Sequence, residues 1–160
     1  MKKLSQKDLE ALSKRMDIEA GLDEELAEKA SHGIFGFYDP KSDEIYVSEK
    51  STTPDKIHEF RHKEVGPPPK GLTPSGWVDR EIDAEIYSFT LVGKRLSWKV
   101  AISAISFLVN IGESPNYMFS LIVEALGRKG ITLSRKERSN MWWFIREAAE
   151  GGEYKEYLKD

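Results

Sequence analysis

The chain contains no cysteine. Disulfides, thiolate catalysis and cysteine-ligated metal are excluded together. Any metal must therefore be held by histidine and carboxylates. The redox compartment stays open, because a cysteine-free chain suits either environment. Histidine is scarce as well, with three in 160 residues. Long apolar runs are missing. The longest, residues 100–111, is broken by Ser103, Ser106 and Asn110. A spanning helix needs about 20 apolar residues, so this run is read as a core helix and no membrane span is expected. No apolar stretch follows Lys2 and Lys3, so no signal peptide is expected and the expected location is cytoplasmic. Neither sign of charge dominates: 24 Lys and Arg face 27 Asp and Glu, for a net −3. Wholesale attraction to nucleic acid or anionic membrane is not implied, and no nucleic-acid partner is expected.

What is present suffices for a core. Hydrophobic residues make up 39% of the chain, and its length predicts one domain over residues 1–160. Helical periodicity and caps divide most of it. Residues 5–30 read as one or two helices, the first capped by Ser5 and the second running over about 23–30. Residues 34–38 and 44–47 are aromatic and β-branched runs around a turn, Asp39-Pro40-Lys41-Ser42-Asp43, which predicts a hairpin. The sheet stays small unless residues 131–133 add to it. Thr53 is read as the N-cap of the next helix, with Pro54 and Asp55 in its first turn. That helix must stop at Gly66-Pro67-Pro68-Pro69. Further helices are predicted from residue 73–75 to 92, over 96–111, from Ser114-Pro115 to 127, and from a Ser134–Glu137 capping box to about 151. The fold class is therefore α+β, mostly helical with a small antiparallel sheet.

The helix after the hairpin carries His58-Glu59-Phe60-Arg61-His62, an HExxH pattern that uses two of the three histidines. Positions i and i+4 share a helix face, so both imidazoles can reach one ion. Glu59 can then lie beside the water on that ion as general base. Catalytic zinc takes three protein ligands and keeps a position open. No histidine follows His62, so a downstream third ligand must be acidic. Val65 stands where the metzincin pattern needs glycine, which excludes that class. On the next helix, Glu81, Glu85 and Ser88 share a face with Ala84 beside them, while Val78, Ile82, Ile86 and Phe89 form a core face. Glu81 is the expected third ligand, and Glu85 is the expected acceptor of a ring proton from His58 or His62. The alternative for this face is a solvated acidic surface.

Residues 36–38, 45–47, 57–62 and 81–89 together resemble the gluzincin clan of zinc peptidases. They are most similar to the ImmA/IrrE-type peptidases and the archaeal minigluzincins. The resemblance covers about residues 33–92. It implies a zincin-like domain whose active-site helix carries HExxH, preceded by a hairpin. A later Glu-x-x-Ala-(Asp/Asn) segment then supplies the third ligand. Glu81, Ala84, Glu85 and Tyr87 match that segment, with Glu85 in place of Asp or Asn. Residues 94–158 match no family pattern and are expected to form a helical subdomain.

The implied activity is zinc-dependent endopeptidase cleavage of a peptide or protein substrate, with Zn²⁺ as cofactor. A homo-oligomer remains open. Arg61 and Lys63 stand where the family keeps charge out, and Lys63 lies at i+4 from Glu59. They favour an alternative, a non-catalytic zinc-stabilised interaction or regulatory protein that keeps the peptidase fold. A third reading, a DNA-associated regulator, rests on Arg128, Lys129, Arg135, Lys136 and Arg138. Their bland reading is helix-end and solvated cations. His32, Tyr38, Tyr46 and Tyr87 are oxyanion candidates by type only. The Met141–Ile145 run reads as core.

Overall fold

Ser5 opens the first helix as the sequence suggests, its Oγ accepting from the Asp8 backbone N–H at 3.1 Å. The computed structural model describes residues 2–19, 36–47 and 51–151. The expected helix at 23–30, residues 34–35 of the first strand, and His32 lie outside the described residues. Helix α1 spans Gln6–Glu19. Strands β1 (Gly36–Asp39) and β2 (Glu44–Val47) pair antiparallel, with Tyr38 opposite Ile45. Helix α2 spans Thr53–Val65 and helix α3 Pro74–Val92. A 3₁₀ turn at Trp98–Ala101 leads into α4 (Ile102–Asn110), followed by α5 (Pro115–Arg128) and α6 (Arg135–Ala149). The fold is mostly helical with one two-stranded antiparallel sheet, an α+β architecture. Among the described residues no helix is long and apolar enough to cross a membrane.

Three local outcomes differ from the sequence expectation. The N-cap of α2 is Thr52, one residue earlier than Thr53. Thr52 accepts from the Asp55 N–H, and the Asp55 carboxylate accepts from the Thr52 N–H, closing a capping box. Both threonines are suitable caps, but the reciprocal bond needs the acidic residue at the third helical position, which only Thr52 gives. Residues 131–133 are irregular and add no strand. The apolar run expected as one helix over 96–111 starts as a 3₁₀ turn, with Ser97 accepting from the Lys99 N–H as its cap. Elsewhere the N-cap residues match, although at Ser134 only the serine half of the expected capping box is formed. Ser114 accepts from the Tyr117 N–H, and Ser134 accepts from the Glu137 N–H.

The chain divides into two units. The first comprises Met1–Lys70 with Ile86–Lys94, and the second Gly71–Glu85 with Arg95–Asp160. Helix α3 contributes its later turns to the first and its earlier turns to the second. In the first unit Met16, Ile57 and Leu91 form a buried cluster, flanked by Leu9, Leu12, Phe60 and Tyr87. Burying each such side chain stabilises by roughly 1.5–3 kcal/mol. Lys56 ties α2 to α1 through Asp17 at 2.6 Å and the Ser13 Oγ at 3.1 Å. The Ser88 hydroxyl of α3 donates to the Pro54 carbonyl at 3.0 Å, which fixes the start of α2.

The second unit is a helical cluster around Val100, Ile105, Leu108, Met118, Ile122, Met141, Phe144 and Ile145, all buried. Trp98 meets Phe144 at 5.3 Å between ring centroids, and Trp77 meets Phe107 at 5.4 Å. Of the expected core run 141–145, Met141, Phe144 and Ile145 are buried, while Trp143 is exposed. Helical periodicity explains this, because residue 143 points about 100° per step away from its buried neighbours. Arg128 of the basic cluster is bound within this unit, to Asp79 at 2.9 Å and to Ser75.

Candidate metal centre

The faces of α2 divide its chemistry. Ile57, Phe60 and Glu64 recur at i, i+3 and i+7, and line one pocket with Leu12 and Met16 of α1. His58 and His62 recur at i and i+4 on a different face, where α2 packs against β1 and β2. Both histidines are nine-tenths buried, at 6% exposure each. Their Nε2 atoms stand 3.0 Å apart, and the rings meet edge to face with centroids at 4.7 Å. Tyr38 of β1 lies near-parallel to His62, with centroids at 6.5 Å, and its hydroxyl donates to Asp43 at 2.7 Å. The hairpin thus sets one wall of the histidine pair. Its turn is held by Asp39, whose carboxylate accepts from the Lys41 N–H and the Ser42 hydroxyl. Those bonds hold the Asp39 carboxyl below its usual pKa.

Glu81 completes the group. One ligand atom from each of His58, His62 and Glu81 lies within 4.8 Å of the others, and together these residues could hold a metal ion. The donor set fits that use. Two imidazoles and a carboxylate are the protein ligands of one class of catalytic zinc site. Two nitrogens on one tetrahedral zinc stand about 3.3 Å apart, given Zn–N bonds of about 2.0–2.1 Å. The observed 3.0 Å is close to that spacing. The wider limit of 4.8 Å exceeds it by about 1.5 Å. A single hydrogen bond between neutral rings accounts for the short nitrogen contact as well.

Glu59 stands beside the pair, with its Oε1 4.0 Å from the His58 Nε2 and its side chain 17% exposed. Glu85 lies one turn beyond Glu81 on α3 and is half-buried. The small residues expected on that face, Ala84 and Ser88, are buried, and Ser88 bonds to α2. The two carboxylates of this face, Glu81 and Glu85, are both half-buried. Arg61 belongs to the other face. Its guanidinium lies 4.8 Å from the centre of the Tyr87 ring and bonds Glu64 at 2.8 Å. Lys63 also lines that side. Of the oxyanion candidates, Tyr46 donates its hydroxyl to Glu44 at the surface, and the Glu44 carboxylate raises its pKa. Tyr87 is on the Arg61 side of α2.

Tyr38 was named in the sequence by residue type alone, and its place was set by the fold. Tyr38 was one aromatic among several in the hairpin, and only strand register places it near His62. Lys56, which the sequence does not single out, has a side chain only 10% exposed. Comparisons with family models, curated proteins and solved structures give no match for this chain.

Proposed function

We propose that the chain is a zinc-dependent endopeptidase of gluzincin type. The observation that carries this is the convergence of His58, His62 and Glu81 within 4.8 Å. These three would hold the ion. When bound, zinc supplies Lewis acidity, lowering the pKa of water and polarising a peptide carbonyl. Glu59 then acts at its carboxylate. It accepts a proton from the attacking water and returns it to the departing amine, the part of the barrier that general acid–base catalysis lowers. Glu85 would accept a hydrogen bond from the ring N–H of His58 or His62 and so hold that imidazole in the tautomer that binds metal. An extended peptide would lie along a hairpin edge and pair with its main chain.

The placement of Arg61 supports catalysis over the non-catalytic alternative. The guanidinium is engaged by Glu64 and Tyr87, on the side of α2 that faces α1. Two measurements test the proposal. Metal analysis of the purified protein should find zinc near one equivalent, lost on His58→Ala. Cleavage of an unfolded protein substrate should fall by about 10²–10⁴ in Glu59→Gln with zinc retained. Undiminished cleavage by Glu59→Gln rejects the mechanism. Zinc without cleavage in the wild type establishes the regulatory alternative.

A further inference from the structure

Behind the metal-ligand face of α2 is a second site that the peptidase reading does not use. It is a pocket of about 200 Å³ lying wholly within the first unit, between α1, α2 and the later turns of α3. Its floor is apolar, from Met16, Ile57 and Phe60, with Tyr87 as a wall. Three cations reach its lining, Arg15, Arg61 and Lys63, against one carboxylate, Glu64. Cations thus outnumber carboxylates in the lining, whereas the chain as a whole carries a net charge of −3. An apolar floor under convergent cations selects a ligand with an apolar body and one anionic end. The volume lies below the roughly 300 Å³ at which pockets for drug-sized ligands begin, so the occupant is a fragment-sized molecule.

We propose that this pocket binds a small amphipathic carboxylate, one aromatic or branched apolar group carrying a single carboxylate. Glu64 shows where the anionic end goes. Its Oε1 is 2.8 Å from the Arg61 Nη1, and its side chain is 60% exposed. Arg61 is held in place by the Tyr87 ring beneath it. An exposed i,i+3 ion pair is weak, so exchanging the Glu64 carboxylate for a ligand carboxylate costs little. Glu64 is then a built-in competitor for the ligand. The ligand's apolar group replaces water over Ile57 and Phe60. Because these residues share α2 with His58 and His62, occupancy bears directly on the helix that carries the metal ligands. The inference does not depend on the peptidase reading, since neither the floor nor the cations belong to the metal site.

The test uses phenylpropanoate as probe, with phenylpropanol and phenylpropylamine as matched controls. Binding is followed by amide chemical shifts on the full chain. Phenylpropanoate should bind with a Kd on the order of 1 mM or tighter, shifting residues 57–64 and Tyr87. The alcohol should bind about tenfold more weakly, and the amine more weakly still. Glu64→Gln removes the competitor and should tighten phenylpropanoate about two- to fivefold. Arg61→Met should weaken it about tenfold or more. The surface variant Glu64→Gln decides the matter even if Arg61→Met fails to fold. Equal binding of acid and alcohol, shifts elsewhere in the chain, or no tightening in Glu64→Gln overturns the proposal.

Discussion

His58 and His62 show how far one residue's position can be reasoned from spacing. Four residues on a helix is one turn, so their shared face was a consequence of the backbone. Their burial and the 3.0 Å approach of their Nε2 atoms were not. An acidic third ligand was inferred by elimination, since cysteine is absent and no histidine follows, and Glu81 was chosen for the helix face it shares with Glu85 and Ser88. The roles of Glu81 and Glu85 can be separated by measurement. Glu85→Ala should weaken zinc binding by about 10–100-fold, as loss of a supporting carboxylate does. Glu81→Ala should weaken it further, and a zinc affinity equal to wild type would remove Glu81 as a ligand.

Asp39 makes an independent prediction at the same scale. Its carboxyl is held low by the Lys41 N–H and the Ser42 hydroxyl. A depressed carboxylate contributes stability that is present above its ordinary value near 3.8 and is lost as pH falls through the lower folded value. Its NMR titration midpoint should therefore fall below 3.8, and Ser42→Ala should move it upward.

At the scale of elements, α2 is organised by what touches each of its sides. The hairpin takes the histidine side, and α1 takes the side of Ile57 and Phe60. Caps and prolines gave the helix limits from sequence to within one residue, because both act locally. The join to α1 was not legible. Lys56 is buried by α1, and its partner Asp17 lies 39 positions earlier in the chain. Removing one partner of a buried polar contact costs more than replacing the contact by apolar surface. Asp17→Asn should thus destabilise by about 1 kcal/mol in urea denaturation, the low end for such a contact because the Asp17 side chain is 52% exposed. Lys56→Met, which keeps the apolar stem, should cost less than that. The reverse order would mean that the ion pair itself, and not burial of the lysine, sets the energy.

Across the whole molecule, an ion held by α2 and α3 would be linked to stability. A ligand that binds only the folded chain stabilises it by about 2.7 kcal/mol at one hundred times its Kd. For a chain of this size that is a rise in Tm of roughly 5–10 °C. Zinc should produce such a rise, a chelator should reverse it, and Glu81→Ala should shrink it. No change on adding or removing zinc would count against a site in the native state. By itself, the sequence determined most of the described elements and the shared face of the two histidines, and it required that a third ligand of any bound ion downstream of His62 be acidic. Those follow from helix period, capping chemistry and residue inventory, all of which act over a few positions. Only the tertiary structure decided which carboxylate stands by the histidines, that Tyr38 flanks them, and that Arg61 turns to the α1 side. These depend on packing between segments far apart in the chain, and side-chain burial against a distant partner leaves no periodic trace in a single sequence.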